Sequence, residues 1–178
     1  MNRPNRKNVR AQWHQYGGGM YFITMCCKDM KQYFGHISNC KMNLSPLGHA
    51  VDCALKSVNE HHPYAFMYGY TVMPNHVHFI VFIDSDRLPK HLRDLKQLNT
   101  SSDFEQKRLL GQSWLSKVII GIKSSVTRRA RQLGSGFEWQ SRYYDEIIFT
   151  REQFDKTLYY IIQNVNKWED DDYHNDER

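Results

Sequence analysis

Residues 73–81 read Met73-Pro74-Asn75-His76-Val77-His78-Phe79-Ile80-Val81, and the rest of the chain is organised around them. From His76 onward the run is apolar and rich in β-branched and aromatic types. That composition, at a length of about eight residues, predicts a central strand buried on both faces. Successive side chains on a strand alternate faces, so residues two apart point the same way. His76 and His78 therefore leave one face side by side, close enough to bind a single metal ion. Taken alone, an H-x-H pair is a weak motif, because buried histidines are often hydrogen-bonded core residues.

Working outward from this strand, Tyr64–Val72 (YAFMYGYTV) predicts a second strand, joined to it through a tight Met73-Pro74-Asn75 turn. Upstream, Ser45-Pro46 is a helix start, with serine as N-cap and proline at the first helical position. Leu47, Val51, Ala54, Leu55 and Val58 then recur on one helical stripe, and Pro63 ends the element. Met20–Cys27 (MYFITMCC) is a strand by composition, followed by a polar loop to Asn43. Downstream, residues 84–112 are polar and charged, with a short helix expected around 89–98. A long helix is expected over Ser113–Leu133, its core stripe carrying Trp114, Val118, Ile122, Val126 and Leu133. Gly134-Ser135-Gly136 stops it. Ser141–Phe149 reads as a fourth strand, and Thr150 caps a last helix running to about Trp168. The order β-α-β-β-α-β plus a terminal helix predicts an α+β, ferredoxin-like (split β-α-β) domain, with an antiparallel sheet and helices on one face.

Composition sets the outer bounds. A chain of 178 residues with 40% hydrophobic content suits one domain with a sizeable core. We expect a basic arm at 1–16, a single domain at 17–168 and an acidic, disordered tail at 169–178. The last ten residues hold six acids against one arginine. The first 168 therefore carry 23 basic and 13 acidic residues, an excess of ten positive charges that points to a polyanionic partner. No apolar run is long enough to span a bilayer, and the N-terminus lacks the apolar core of a secretory signal. Four cysteines without C-x-x-C spacing suit a reducing cytoplasm.

In the last helix Phe154, Leu158, Ile161, Ile162 and Val165 fall in one apolar arc expected to face the core. Tyr160 and Asn164, four apart, stack on one stripe beside it, and Tyr159 lies on the opposite flank. A phenol and an amide oxygen presented together suit a nucleophile and a hard metal ligand. Equally, they suit a half-buried tyrosine and an ordinary late-helix asparagine.

Taken together, MPNHVHFIV and the later LYYIIQNVNKW resemble the single-tyrosine HUH transposases, above all the REP-associated tyrosine transposases and their insertion-sequence relatives. The likeness also covers GGGMYFITM, KSSVTRRAR and FEWQSRYYDEII. The resemblance implies a ferredoxin-like fold. It implies Tyr160 as nucleophile and His76, His78 and Asn164 as ligands of Mg²⁺ or Mn²⁺. Its substrate would be single-stranded or hairpin DNA, cleaved and rejoined through a 5′-phosphotyrosine, and its assembly a homodimer. Many relatives have proline after the asparagine, where this chain has Val165. Two nitrogens favour Mn²⁺, and no fourth ligand for a closed zinc site is evident. For DNA contacts, Arg10 in the arm, Lys117, Lys123, Arg128, Arg129 and Arg142 are candidates to neutralise phosphates, and Trp139 to stack on a base. Two rival readings remain at this level: a non-catalytic single-stranded nucleic-acid-binding module of the same fold, and a metal-dependent phosphoesterase. The second lacks the paired H-x-T/S motifs of the two-histidine phosphodiesterases.

Overall fold

A computed structural model of the chain describes residues 19–88, 114–171 and 173–174. The expected basic arm with Arg10, the expected helix around 89–98 and half of the acidic tail (172 and 175–178) lie outside the described residues. Four strands form the main sheet: β1 (Gly19–Cys26), β4 (Ala65–Val72), β5 (His76–Ile83) and β6 (Tyr144–Ile148). Their spatial order is β4-β5-β1-β6, with every neighbouring pair antiparallel. α1 (Pro46–Lys56) and the short α2 (Val58–His61) connect β1 to β4, and α3 (Trp114–Gln132) lies between β5 and β6. This is the expected ferredoxin-like arrangement, with the H-V-H strand in the interior of the sheet.

Val77, Phe79, Val81 and Ile83 of β5, with Tyr21, Ile23 and Met25 of β1, pack against Leu47, Val51 and Leu55 of α1 and Leu115, Val118, Ile119 and Ile122 of α3. One face of the sheet is thus sealed by the two connecting helices. The predicted stripe of α1 is buried throughout, and its N-terminus is as expected, Gly48 N–H donating to Ser45 Oγ at 3.0 Å. Gly48 also solves a packing problem, because a Cβ there would lie 2.0 Å from the Phe34 carbonyl oxygen. Phe34 N–H in turn donates to the Pro74 carbonyl at 2.9 Å, so this close approach ties α1 to the turn that precedes His76.

Three expectations are corrected. The polar loop to Asn43 contains a hairpin, β2 (Gly35–Ser38) and β3 (Lys41–Leu44). Its two-residue turn, Asn39-Cys40, has φ of 51° and 56°. Such a turn matches strand twist, but Asn-Cys lacks the glycine that usually announces it. Leu133 lies beyond the end of α3 and is exposed, whereas Leu115 and Ile119 join the core stripe. The last helix, α4 (Arg151–Gln163), does not continue as an α-helix to Trp168; it tightens into a 3₁₀ segment, Asn164–Asp170. Only Ile161 of its apolar arc is fully buried, and Ile162 is 62% exposed. α4 meets a single sheet face and buries only what that face covers; the 3₁₀ segment begins after Ile162, at Asn164, which is 3% exposed.

α4 covers part of the sheet face opposite α1 and α3. Thr150 and Gln153 form a reciprocal capping box at its start. Phe154 meets Tyr68 of β4 edge to face at 5.9 Å. Leu158 sits over Gly69, next to a bulge in β4, where a Cβ would come within 2.6 Å of its Cδ1.

Candidate active site

The histidine face owes its geometry to strand register. Cys26, Thr24 and Phe22 of β1 lie opposite His76, His78 and Ile80 of β5. Both imidazoles are buried, His76 at 0% and His78 at 1% exposure, and their Nε2 atoms converge to 3.0 Å. Asn75 Nδ2 donates to two carbonyls, Met30 O at 3.0 Å and Tyr173 O at 2.8 Å. Its Oδ1 is therefore the atom that faces His76 Nδ1 at 2.8 Å. A carbonyl oxygen accepts, so His76 carries its proton on Nδ1 and turns an Nε2 lone pair toward His78. Thr24 Oγ1 holds His78 Nδ1 at 2.8 Å. A hydroxyl both donates and accepts, so Thr24 supports either tautomer of His78, including the one that frees Nε2.

Burial disfavours the imidazolium. It lowers the His78 pKa from 6.5 to about 3, and burial together with the neighbouring His78 holds His76 well below 6.5. Both rings are neutral at physiological pH, the form in which histidine ligates a metal. Two ligand atoms about 2.1 Å from one ion and at a right angle to each other stand about 3.0 Å apart, which suits an octahedral divalent cation. Each ring is also held at its outer nitrogen, as metal-binding histidines commonly are. The donor set fits a divalent metal.

From α4, the Tyr160 hydroxyl reaches His78 Nε2 at 3.3 Å, although 82 residues separate them. Phe22 stacks on His78 at 5.4 Å and meets the Tyr160 ring edge to face at 6.0 Å, fixing the two against each other. Tyr159 is 62% exposed. Asn164 is buried, and its Nδ2 has no hydrogen-bond partner among the described residues. Since the two ends of an amide are interchangeable in shape, a buried unpartnered amide one turn beyond Tyr160 is consistent with a ligand oxygen. Sequence reasoning missed Thr24, Asn75 and Asp171; the last has a carboxylate oxygen within 4.8 Å of both histidine donors. Asn75 stood in the quoted motif, and only strand register reveals Thr24.

The candidate DNA contacts are not gathered at this centre. Lys117, Lys123, Arg128 and Arg129 all lie on α3, across the sheet from the histidines. Lys123 is half-buried, donates from Nζ to Gln140 O at 2.7 Å, and its pKa is lowered by burial. Trp139 is half-buried against Phe34 and Phe137, with Nε1 donating to Lys123 O at 3.3 Å. These two residues have structural tasks already. Lys117 Nζ lies 4.0 Å over the Trp114 ring. Arg128, Arg129 and Arg142 are exposed, and Arg142 lines an open cleft of about 800 Å³ with Lys28, Glu138, Trp139 and Gln140. Among the described residues no helix is long and apolar enough to cross a membrane.

No family model matches the chain. An uncharacterized protein of Haemophilus influenzae is 31% identical over 176 residues, covering 94% of this chain and 92% of that protein. Among solved structures, that of a REP-associated tyrosine transposase bound to a REP hairpin superposes with a TM-score of 0.53 at 18% identity, covering 94% of this chain and 74% of that one. A Deinococcus radiodurans protein described as a candidate transposase reaches a TM-score of 0.45 at 12% identity, covering 89% of this chain and 97% of that one, too slight a likeness to argue from. The chain thus belongs to one family with the Haemophilus influenzae protein, and its fold is that of the REP-associated tyrosine transposases.

Proposed function

We propose that the protein is a transposase-like enzyme that cuts and rejoins single-stranded DNA, with Tyr160 as nucleophile and His76, His78 and Asn164 holding Mg²⁺ or Mn²⁺. The observation that carries this reading is the Tyr160 hydroxyl 3.3 Å from His78 Nε2, beside a second converging imidazole. A structural tyrosine would not need its hydroxyl aimed at the ligand nitrogen of a buried, neutral imidazole. Tyr160 Oη attacks the scissile phosphorus, the phenolic proton is given up, and the 3′-oxygen leaves, so the strand's 5′-phosphate is carried on the tyrosine. A 3′-hydroxyl of another strand reverses the step, with no cofactor energy needed, because one phosphoester has replaced another. A phenol with a pKa of about 10 is protonated at neutral pH. The bound cation would supply Lewis-acid polarisation of the phosphate and a field that favours the phenolate.

Hairpin DNA is the proposed substrate, by analogy with the transposase solved on a REP hairpin. Of the proposed phosphate contacts, Arg128, Arg129 and Arg142 are exposed. Arg10 in the arm, Lys117 and Lys123 complete that set, and Trp139, which lines the cleft beside Arg142, is the proposed base-stacking residue. We assign the chain a basic arm at 1–16, a catalytic domain at 17–168, an acidic tail beyond, a cytoplasmic site of action and a homodimeric assembly.

The test is a denaturing gel of the protein with Mn²⁺ and labelled hairpin oligonucleotides from the DNA flanking its coding region. Wild type should carry label covalently, and Tyr160→Phe or added EDTA should abolish it. Cleavage that survives Tyr160→Phe overturns the nucleophile. Tight, metal-independent binding with no adduct favours a non-catalytic binding module instead.

A further inference from the structure

The acids at 169–172 read, by composition, as a solvated tail, yet one of them is held against the buried histidines. The Asp171 carboxylate and the ligand nitrogens of His76 and His78 lie within 4.8 Å of one another. Its backbone is anchored by Asp171 N–H donating to Trp168 O at 3.2 Å, and Oδ1 accepts from Tyr173 N–H at 2.7 Å. The next residues strap this segment down. Tyr173 O accepts from Asn75 Nδ2 at 2.8 Å, the same amide whose oxygen orients His76. The Tyr173 ring sits 4.7 Å from the His76 ring, and the Trp168 ring 6.1 Å from it.

We propose that Asp171 is a carboxylate ligand of the divalent cation held by His76 and His78, so that the segment after the tyrosine helix closes over the metal. The inference rests on the metal centre proposed above and adds a ligand from outside the tyrosine helix. Two neutral imidazoles and one carboxylate form a donor set that suits Mn²⁺ and leaves further positions open for phosphate oxygens. The carboxylate brings a full negative charge to a site whose histidines are neutral, which two imidazoles and an amide cannot do. Metal binding and the docking of Asp171 and Tyr173 then become one event, because Asn75 connects them.

Mn²⁺ titration of the full chain, followed by electron paramagnetic resonance and calorimetry, tests this. Asp171→Asn keeps the size and the acceptor for Tyr173 N–H, and Glu169→Gln removes an exposed neighbouring charge as a control. Asp171→Asn should weaken Mn²⁺ binding at least tenfold and shrink the metal-induced rise in Tm, with Glu169→Gln changing affinity less than twofold. Equal Mn²⁺ affinity in wild type and Asp171→Asn overturns the inference and leaves the two-histidine centre standing. No Mn²⁺ binding by folded wild type overturns the metal centre itself. Unchanged affinity with more DNA adduct in Asp171→Asn also overturns the inference, since the carboxylate would then be an obstruction rather than a ligand.

Discussion

The two faces of one strand divide the protein's labour. On β5, Val77, Phe79, Val81 and Ile83 are 0% exposed and packed under α1 and α3. One residue along, His76 and His78 are as deeply buried, but their partners are a hydroxyl, an amide and a phenol. The apolar face gains from area removed from water, whatever its detailed geometry. The histidine face buries polar atoms that are tolerable only when each finds a partner at the right place. A single strand can thus carry a robust core and a precise site without either disturbing the other.

That division can be broken from either side. The largest effect is expected on the apolar face: Phe79→Ala should cost about 3–5 kcal/mol of unfolding free energy. Measured by urea denaturation, this loss should leave Mn²⁺ affinity within a few-fold of wild type. A collapse in affinity equal to that of a histidine variant would show that the faces are coupled.

Acid should act through the histidine face. The His78 pKa is lowered by folding, from 6.5 to about 3, and His76 is lowered too. The unfolded chain therefore binds more protons below about pH 6.5. The stability these residues confer is full above that pH and is lost as pH falls toward the folded values. Each histidine contributes at most about 1.4 kcal/mol per pH unit. Between pH 6 and 5 the metal-free protein should lose on the order of 1–3 kcal/mol more than a His76→Asn/His78→Asn double variant. Equal slopes would mean that the rings are charged or solvated in the folded state.

The smallest stability change is expected for Thr24→Val, which removes the group holding His78 Nδ1. It should cost about 1 kcal/mol of stability but about 10–100-fold in Mn²⁺ affinity. Equal, modest losses in both would reduce Thr24 to a packing residue.

Much of this was legible beforehand, for local reasons. Ser45-Pro46 announced α1, and Thr150 announced α4. The alternation in HVHFIVFI announced a central strand with both histidines on one face. The spacing of Tyr160 and Asn164 marked both for notice. What failed was also systematic. The β2–β3 hairpin has weak strand residues and an Asn-Cys turn, so nothing local distinguished it from a loop. Ile162 belonged to the apolar arc, but a helix buries only what its neighbours cover, and α4 meets a single sheet face.

By itself, then, the sequence determined the order of elements, the shared face of His76 and His78, and the candidacy of Tyr160, because strand alternation and helix spacing are properties of neighbours along the chain. Only the tertiary structure decided that Thr24 meets His78, that Asn75 sets the tautomer of His76, and that Asp171 lies at the histidines rather than in solvent. Those contacts depend on strand register and on where a 3₁₀ turn redirects the chain. Both are settled by the packing of segments distant in sequence, which no local pattern encodes.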